Sequence, residues 1–211
     1  MLALLDRLLY RHPFEGGSAE RYARDERPAF GDLDDRLLDQ LAPRLGGAHR
    51  LLDVGCGPAT FALRAAARHP NLKVIALDPS RAFAHPHAGC HVIRGVGEEL
   101  PLPSGAVDAA ICLSSIRHVR DRAATLAELR RVVRDGGALV VVELDPEADA
   151  DRIAYHADRL GNAVLRRAFG PLVVRTAPKA SAIAQLATAA GWRVDALRAD
   201  TLQPVYVMEL S

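Results

Sequence analysis

Lysine is almost missing from this 211-residue chain: of its 27 lysine and arginine residues only Lys73 and Lys179 are lysine, a bias that reads as genome base composition more than function. An excess of one charge sign is missing too. Twenty-seven basic residues against 26 acidic ones leave a formal net charge of +1, so no global field pulls the chain toward nucleic acid or an anionic membrane. Cysteine is sparse, at positions 56, 90 and 112 with no framework spacing, which reads as a reduced, cytoplasmic protein and not a disulfide-stapled secreted one. No stretch approaches the roughly 18 to 20 apolar residues of a membrane span. The apolar start Met1-Leu2-Ala3-Leu4-Leu5 is interrupted by Asp6 and Arg7 and lacks a small-residue cleavage site. An amphipathic packing helix is expected there, not a signal peptide.

What is present centres on Leu51-Leu52-Asp53-Val54-Gly55-Cys56-Gly57-Pro58-Ala59-Thr60. The apolar run over residues 50–54 predicts a buried strand, residues 55–57 a tight turn, and residues 58–69 a helix opening on proline. Gly55 and Gly57 allow positive φ and close backbone approach, and a helix N-terminus aims unpaired N–H groups at a ligand. A dinucleotide fingerprint would carry glycine at the sixth position, where Thr60 stands, so a nicotinamide oxidoreductase is the weaker reading. Asp53 is placed to accept hydrogen bonds from an ammonium, as the amino-acid end of S-adenosylmethionine (SAM) requires. Asp78 follows the apolar run Val74-Ile75-Ala76-Leu77, 21 positions past Gly57, where the second strand of a doubly wound sheet delivers a carboxylate to a ribose.

Four segments in order, LLDVGCGPAT, ALDPS, GEELPLPSGAVDAAICLSSIRHV and ELRRVVRDGGALVVVEL, resemble the class I SAM-dependent methyltransferases, in particular the small-molecule branch that includes quinone-biosynthesis enzymes. The resemblance covers about residues 51–144. It implies an α/β Rossmann-like fold: a seven-stranded, mostly parallel sheet with helices on both faces and the last strand antiparallel. It implies SAM as cofactor, held by Asp53, Gly55, Cys56, Gly57, Asp78, Pro79, Gly97, Glu98 and Leu113, and direct displacement of its methyl group by an O, N, S or C nucleophile. Residues 1–211 are expected as one domain, with 1–45 a helical cap and 146–178 a lid-like insertion over the substrate.

One departure stands out. Gly95-Val96-Gly97-Glu98-Glu99-Leu100-Pro101 occupies the place of the family's Gly-Asp-Ala-Glu-x-Leu-Pro, so Val96 replaces the acid that accepts from the adenine amino group. Gly97 or Glu98 keeps the backbone contact, and the missing acceptor is Glu98 or water. The loss of one hydrogen bond of ~1 kcal/mol weakens the cofactor by less than tenfold.

The strand over residues 107–113 ends where an open α/β sheet faces its ligand. His118, just beyond it, is the candidate general base, neutral at pH 7 with an ordinary pKa near 6.5; the competing reading has it pack a helix start. The resemblance also implies an aromatic from the N-terminal region over the cofactor's methyl-bearing end, for which Tyr22 is the candidate; the competing reading has it pack a helix end. A helix is expected over 120–134, stopped by Asp135-Gly136-Gly137, then a buried strand over 138–144 with Glu143 and Asp145 at its end. Arg152, Arg159, Arg166, Arg167 and Arg175 read either as a carboxylate-binding group or as a solvated face, the face being favoured. His85, His87 and Cys90 read as a loop and His91 as the start of a strand, without usual zinc spacing. The expected partner is a small-molecule substrate, with no nucleic acid and no membrane span, and a homodimer is left open. The rival from another class is a non-catalytic SAM-binding protein.

Overall fold

The computed structural model describes residues 14–45, 47 and 49–211; the helix expected over residues 1–9 lies outside them. Seven strands run β1 (Arg50–Val54), β2 (Lys73–Asp78), β3 (His91–Arg94), β4 (Val107–Leu113), β5 (Val133–Leu144), β6 (Val194–Ala199) and β7 (Val205–Leu210). Their order in the sheet is β3-β2-β1-β4-β5-β7-β6. The pairs from β3 to β5 are parallel, and β7 is antiparallel to both β5 and β6. The expected sheet is therefore present. Strand order reverses direction between β1 and β4, and a crevice opens beyond the carboxyl ends of strands at such a point.

The residues say which face each helix takes. Side chains alternate along a strand with period two, and Leu51, Ile111, Val140 and Val142 share one core with helices α2 (Leu33–Leu45) and α3 (Thr60–Arg68) through Leu37, Leu38, Phe61 and Ala65. Leu52, Ala110, Leu139 and Val141 point the other way, onto α4 (Arg122–Val132) and α7 (Ala180–Ala189) through Leu126, Leu129, Ile183 and Ala187. Each buried leucine of these helices contributes ~2 kcal/mol by leaving water. Trp192 anchors the second layer, its Nε1 donating to Leu126 O at 3.0 Å.

Two boundaries differ from expectation. Pro58 and Ala59 belong to the turn after β1, not to the helix, which starts at Thr60. Helix α4 stops at Val132, and Val133 is already extended and paired with Val107, leaving residues 134–137 as a bulge before Ala138 rejoins Ala109. A Cβ on Gly137 would stand 2.6 Å from Asp108 O, so β4's close approach requires glycine there. β-branched Val132 and Val133 favour the early change to strand.

Before β1, the chain forms a short helix α1 (Gly17–Arg21), a π turn (Tyr22–Glu26) and a 3-10 turn (Arg27–Phe30). The region after β5 is more helical than the helix plus loop expected there, with α5 (Ala150–Ala157), α6 (Ala163–Ala168) and a π turn (Phe169–Val174). Between β2 and β3 the chain makes turns and one isolated bridge, His87 with Cys90, and His91 opens β3 as expected. Among the described residues no helix is long and apolar enough to cross a membrane.

Candidate active site

The loop after β1 is held by the strand beside it: Gly55 N and Cys56 N both donate to Leu77 O, at 2.7 and 3.1 Å. Gly55 and Gly57 take φ of +71° and +53°, and Ala59 takes +56°, a conformation that strains any residue with a Cβ. Asp78 closes the loop from the other side, its Oδ2 accepting from Gly57 N at 2.9 Å and its Oδ1 from Ser80 N at 2.8 Å.

Asp53 is 2% exposed. Burial pushes its carboxyl up to about 7; the charge of Arg27 opposes this, while Asp34 and Asp78 reinforce it. Arg27 is largely committed elsewhere, since its Nη2 bonds both oxygens of Asp34 at 2.7 Å. The pocket therefore carries more buried acid than cation. Such a surplus suits a positively charged ligand, and the ammonium and sulfonium of SAM fit it.

Tyr22 lies across this loop: a Cβ on Gly57 would be 3.6 Å from Tyr22 Cε1. Its ring meets Phe14 at 4.8 Å and Phe83 at 6.3 Å, and burial raises its hydroxyl to about 12. At the end of β4, Ser114 takes a φ of +53° and Ser115 Oγ donates to Val54 O at 2.6 Å. His118 sits just beyond, edge-on to Phe14 at 5.3 Å. Burial, helped by Arg117 and Arg122, lowers its imidazole to about 4, so the ordinary value expected from sequence does not hold.

On the third side, a Cβ on Gly97 would come within 2.8 Å of Thr125 Cγ2, so glycine lets this loop pack on α4. Val96 is 45% exposed. Glu98 Oε1 accepts from Arg120 N at 2.6 Å and Asp121 N at 3.2 Å, which ties that oxygen to the start of α4. Glu143, at the end of β5, is fully buried, paired across the sheet with Tyr206, and accepts from Arg117 N and Leu144 N. Burial raises it to about 7.

These elements surround a cavity of about 640 Å³ lined by Tyr22, Asp53, Gly55, Cys56, Gly57, Asp78, Pro79, Gly97, Glu98, Leu113 and His118. Sequence reasoning thus found residues that fold together, but it missed the other half of the wall. All five phenylalanines of the chain, at 14, 30, 61, 83 and 169, line the cavity, with Arg27, Arg117, His156, Leu160 and Leu165. The signal available was the scarcity of aromatics, at 5%. None of the five arginines between 152 and 175 reaches the cavity wall. Arg152 pairs with Asp149, Arg159 lies 3.5 Å over the Tyr155 ring, and Arg166 and Arg175 bond backbone carbonyls. Arg152 also reaches out of the segment, to Asp200 O at 3.1 Å.

A family model described as a methyltransferase domain matches residues 52–141. The chain is 33% identical over 148 residues to a ubiquinone/menaquinone biosynthesis C-methyltransferase of Syntrophotalea carbinolica, covering 58% of this chain and 62% of that protein. It is 31% identical over 150 residues to a 27-O-demethylrifamycin SV methyltransferase of Amycolatopsis mediterranei, covering 63% and 55%. The chain spans about half to two thirds of the length of the curated relatives it matches. A SAM-dependent methyltransferase structure from Aquifex aeolicus shares the fold, with a TM-score of 0.69 at 16% identity over 91% of this chain and 95% of that one. Taken with the glycine loop between its two acids, these matches identify residues 52–141 as a class I SAM-dependent methyltransferase domain.

Proposed function

We propose that this protein transfers a methyl group from SAM to an apolar, ring-bearing small molecule. One observation carries the reading: a single cavity is lined both by the glycine loop with the buried acids Asp53 and Asp78 and by every phenylalanine in the chain. The acids suit a cationic nucleoside and the phenylalanines a flat, hydrophobic acceptor. Two relatives are named for ubiquinone/menaquinone biosynthesis and for demethylrifamycin, small molecules in both cases, which supports the acceptor class.

Bound SAM supplies an electrophilic methyl group on a sulfonium sulfur. The chain's residues bind, orient and exclude water. Asp53 takes the ammonium end, Asp78 the ribose, and the backbone at Gly97 and Glu98 the adenine edge. Leu113, Cys56 and Pro79 fill the space between. Tyr22 and His118 border the reacting centre as neutral groups, a phenol and an imidazole that keep the site dry and hold the acceptor in line. Cys56 acts by packing, since burial pushes its thiol up and away from the reactive thiolate.

The test is native mass spectrometry with SAM and S-adenosylhomocysteine, followed by methyl transfer from labelled SAM into a small-molecule extract. Binding and a labelled low-mass product are expected. Binding without any product favours the second reading, a SAM-binding protein without turnover, which the absent acid at Val96 and the engaged Glu98 oxygen motivate. No binding of either nucleoside removes both.

A further inference from the structure

His156 is buried, at 2% exposure, yet its ring lines the cavity on the acceptor side. It is held from every direction. Phe169 stacks on it in parallel at 4.4 Å and 6°, and Phe30 meets it edge-on at 4.9 Å. Its Nδ1 is 2.7 Å from Gln203 Oε1. The amide of Gln203 is itself fixed, because its Nε2 donates to Ala29 O at 3.2 Å and Phe30 O at 3.0 Å. Reversing that amide would set an oxygen against two carbonyls. Oε1 therefore faces the histidine, and an amide oxygen only accepts. The ring hydrogen must sit on Nδ1, leaving Nε2 with a bare lone pair and no hydrogen-bond partner among the described residues.

Burial, with Arg159 and Arg27 nearby, holds the imidazole down to about 4 against the opposing pull of Gln203. The ring is thus a neutral acceptor at any working pH, locked in one tautomer. Two elements that flank the cavity, the 3-10 turn and α5, meet at this ring through Phe30 and Gln203.

We propose that His156 Nε2 is the recognition point for the acceptor molecule, accepting a hydrogen bond from a hydroxyl carried on an aromatic ring that slides between Phe30, Phe169 and the leucines at 160 and 165. This deepens the function proposed above and rests on its placing the methyl acceptor in that half of the cavity. The site selects for phenol-like compounds against their methyl ethers, because only the phenol can supply the missing hydrogen.

The probes are 2-naphthol and 2-methoxynaphthalene, alike in ring and differing in the donor. In calorimetry on the full chain 2-naphthol binds about tenfold tighter, and His156→Phe abolishes the difference while keeping affinity for S-adenosylhomocysteine. Equal binding of the two probes to the unaltered protein overturns the proposal, as does a preference that survives His156→Phe. In case the variant fails to fold, nitrogen NMR of labelled histidine in the unaltered protein provides a second readout. The free protein shows the hydrogen on Nδ1, and 2-naphthol, not its methyl ether, moves the Nε2 resonance; an unmoved resonance at saturation overturns the proposal. Failure of S-adenosylhomocysteine to bind, with the naphthol preference intact, defeats the methyltransferase function alone.

Discussion

A Cβ placed on Gly55 would stand 2.4 Å from the Cβ of Ser115, so the loop after β1 and the loop after β4 close on each other with no room for a methyl group. Ser115 is fixed there by its hydroxyl, which donates to Val54 O at 2.6 Å. Gly55→Ala must therefore both clash and occupy a φ of +71°. The expected loss is about 2–4 kcal/mol of stability, read by urea unfolding, with affinity for S-adenosylhomocysteine down at least tenfold. Adding Ser115→Gly should recover the clash portion and leave the backbone portion. A single variant within 0.5 kcal/mol of the unaltered protein would show that this junction is looser than described.

Ala59 is the opposite case. It is fully buried and takes a φ of +56° with a Cβ, which costs ~1–2 kcal/mol, while glycine there would cost ~0.4–1 kcal/mol of unfolded-chain entropy. Ala59→Gly is expected to stabilise the protein by up to about 1 kcal/mol, raising the unfolding midpoint with unchanged denaturant slope. A lower midpoint would mean that the lost methyl packing outweighs the relieved backbone.

How much of this was legible in the sequence follows from the range of each interaction. The strand, glycine loop and acids at 53 and 78 were readable because local pattern dictates them: hydrophobic periodicity fixes the strands, and glycine marks the turn. Pro58 misled, because proline also serves turns, and only the third dimension shows Ala59 in the left-handed region. The bulge at residues 134–137 depends on Asp108 across the sheet. Arg27 with Asp34, and His156 with Gln203 47 positions away, are pairings between segments that no local pattern announces. The five phenylalanines are scattered from 14 to 169, and folding alone brings them to one cavity.

Asp78 does two jobs that mutation will not separate unless both are measured. Its oxygens satisfy Gly57 N and Ser80 N, and its proposed role is to hold the ribose. Asp78→Ala is expected to weaken S-adenosylhomocysteine at least tenfold, since charge-assisted bonds are lost. It should also destabilise the empty protein by about 1–3 kcal/mol, since two backbone donors lose their acceptor. Asp78→Asn keeps one acceptor and should fall between. Unchanged affinity in calorimetry would remove Asp78 from the cofactor site.

His118 should not titrate where an ordinary histidine does. Its imidazole lies at about 4 in the folded chain and near 6.5 when unfolded. The folded state therefore binds fewer protons than the unfolded one between these values, so this group adds stability as pH rises through that window and is neutral above it. Proton NMR of the ring from pH 3.5 to 8 should place the midpoint below 5. A midpoint near 6.5 would show the ring to be hydrated, and would restore a base titrating in the working range.

Asp53 leads to the reverse sign. Its folded carboxyl lies at about 7, raised by burial from an ordinary value of 3.8, so the folded state holds a proton that the unfolded state has released. Stability from this group is full below pH 4 and declines as pH climbs toward 7. Asp53→Asn, which cannot ionise, should therefore gain on the unaltered protein between pH 5 and pH 8. A cationic ligand changes the balance. An ammonium beside Asp53 favours the carboxylate and lowers its pKa, so binding S-adenosylhomocysteine at pH 7 should release about half a proton. Calorimetry in phosphate and in Tris reads this directly, because released protons are taken up with different heats in the two buffers. Affinity should also rise from pH 6 to pH 8. Glu143 is likewise raised to about 7 but does not line the cavity, so Glu143→Gln should keep the proton release and Asp53→Asn should abolish it. Equal binding heats in both buffers would show that Asp53 is already ionised in the empty protein, or that the ammonium end of the ligand lies elsewhere.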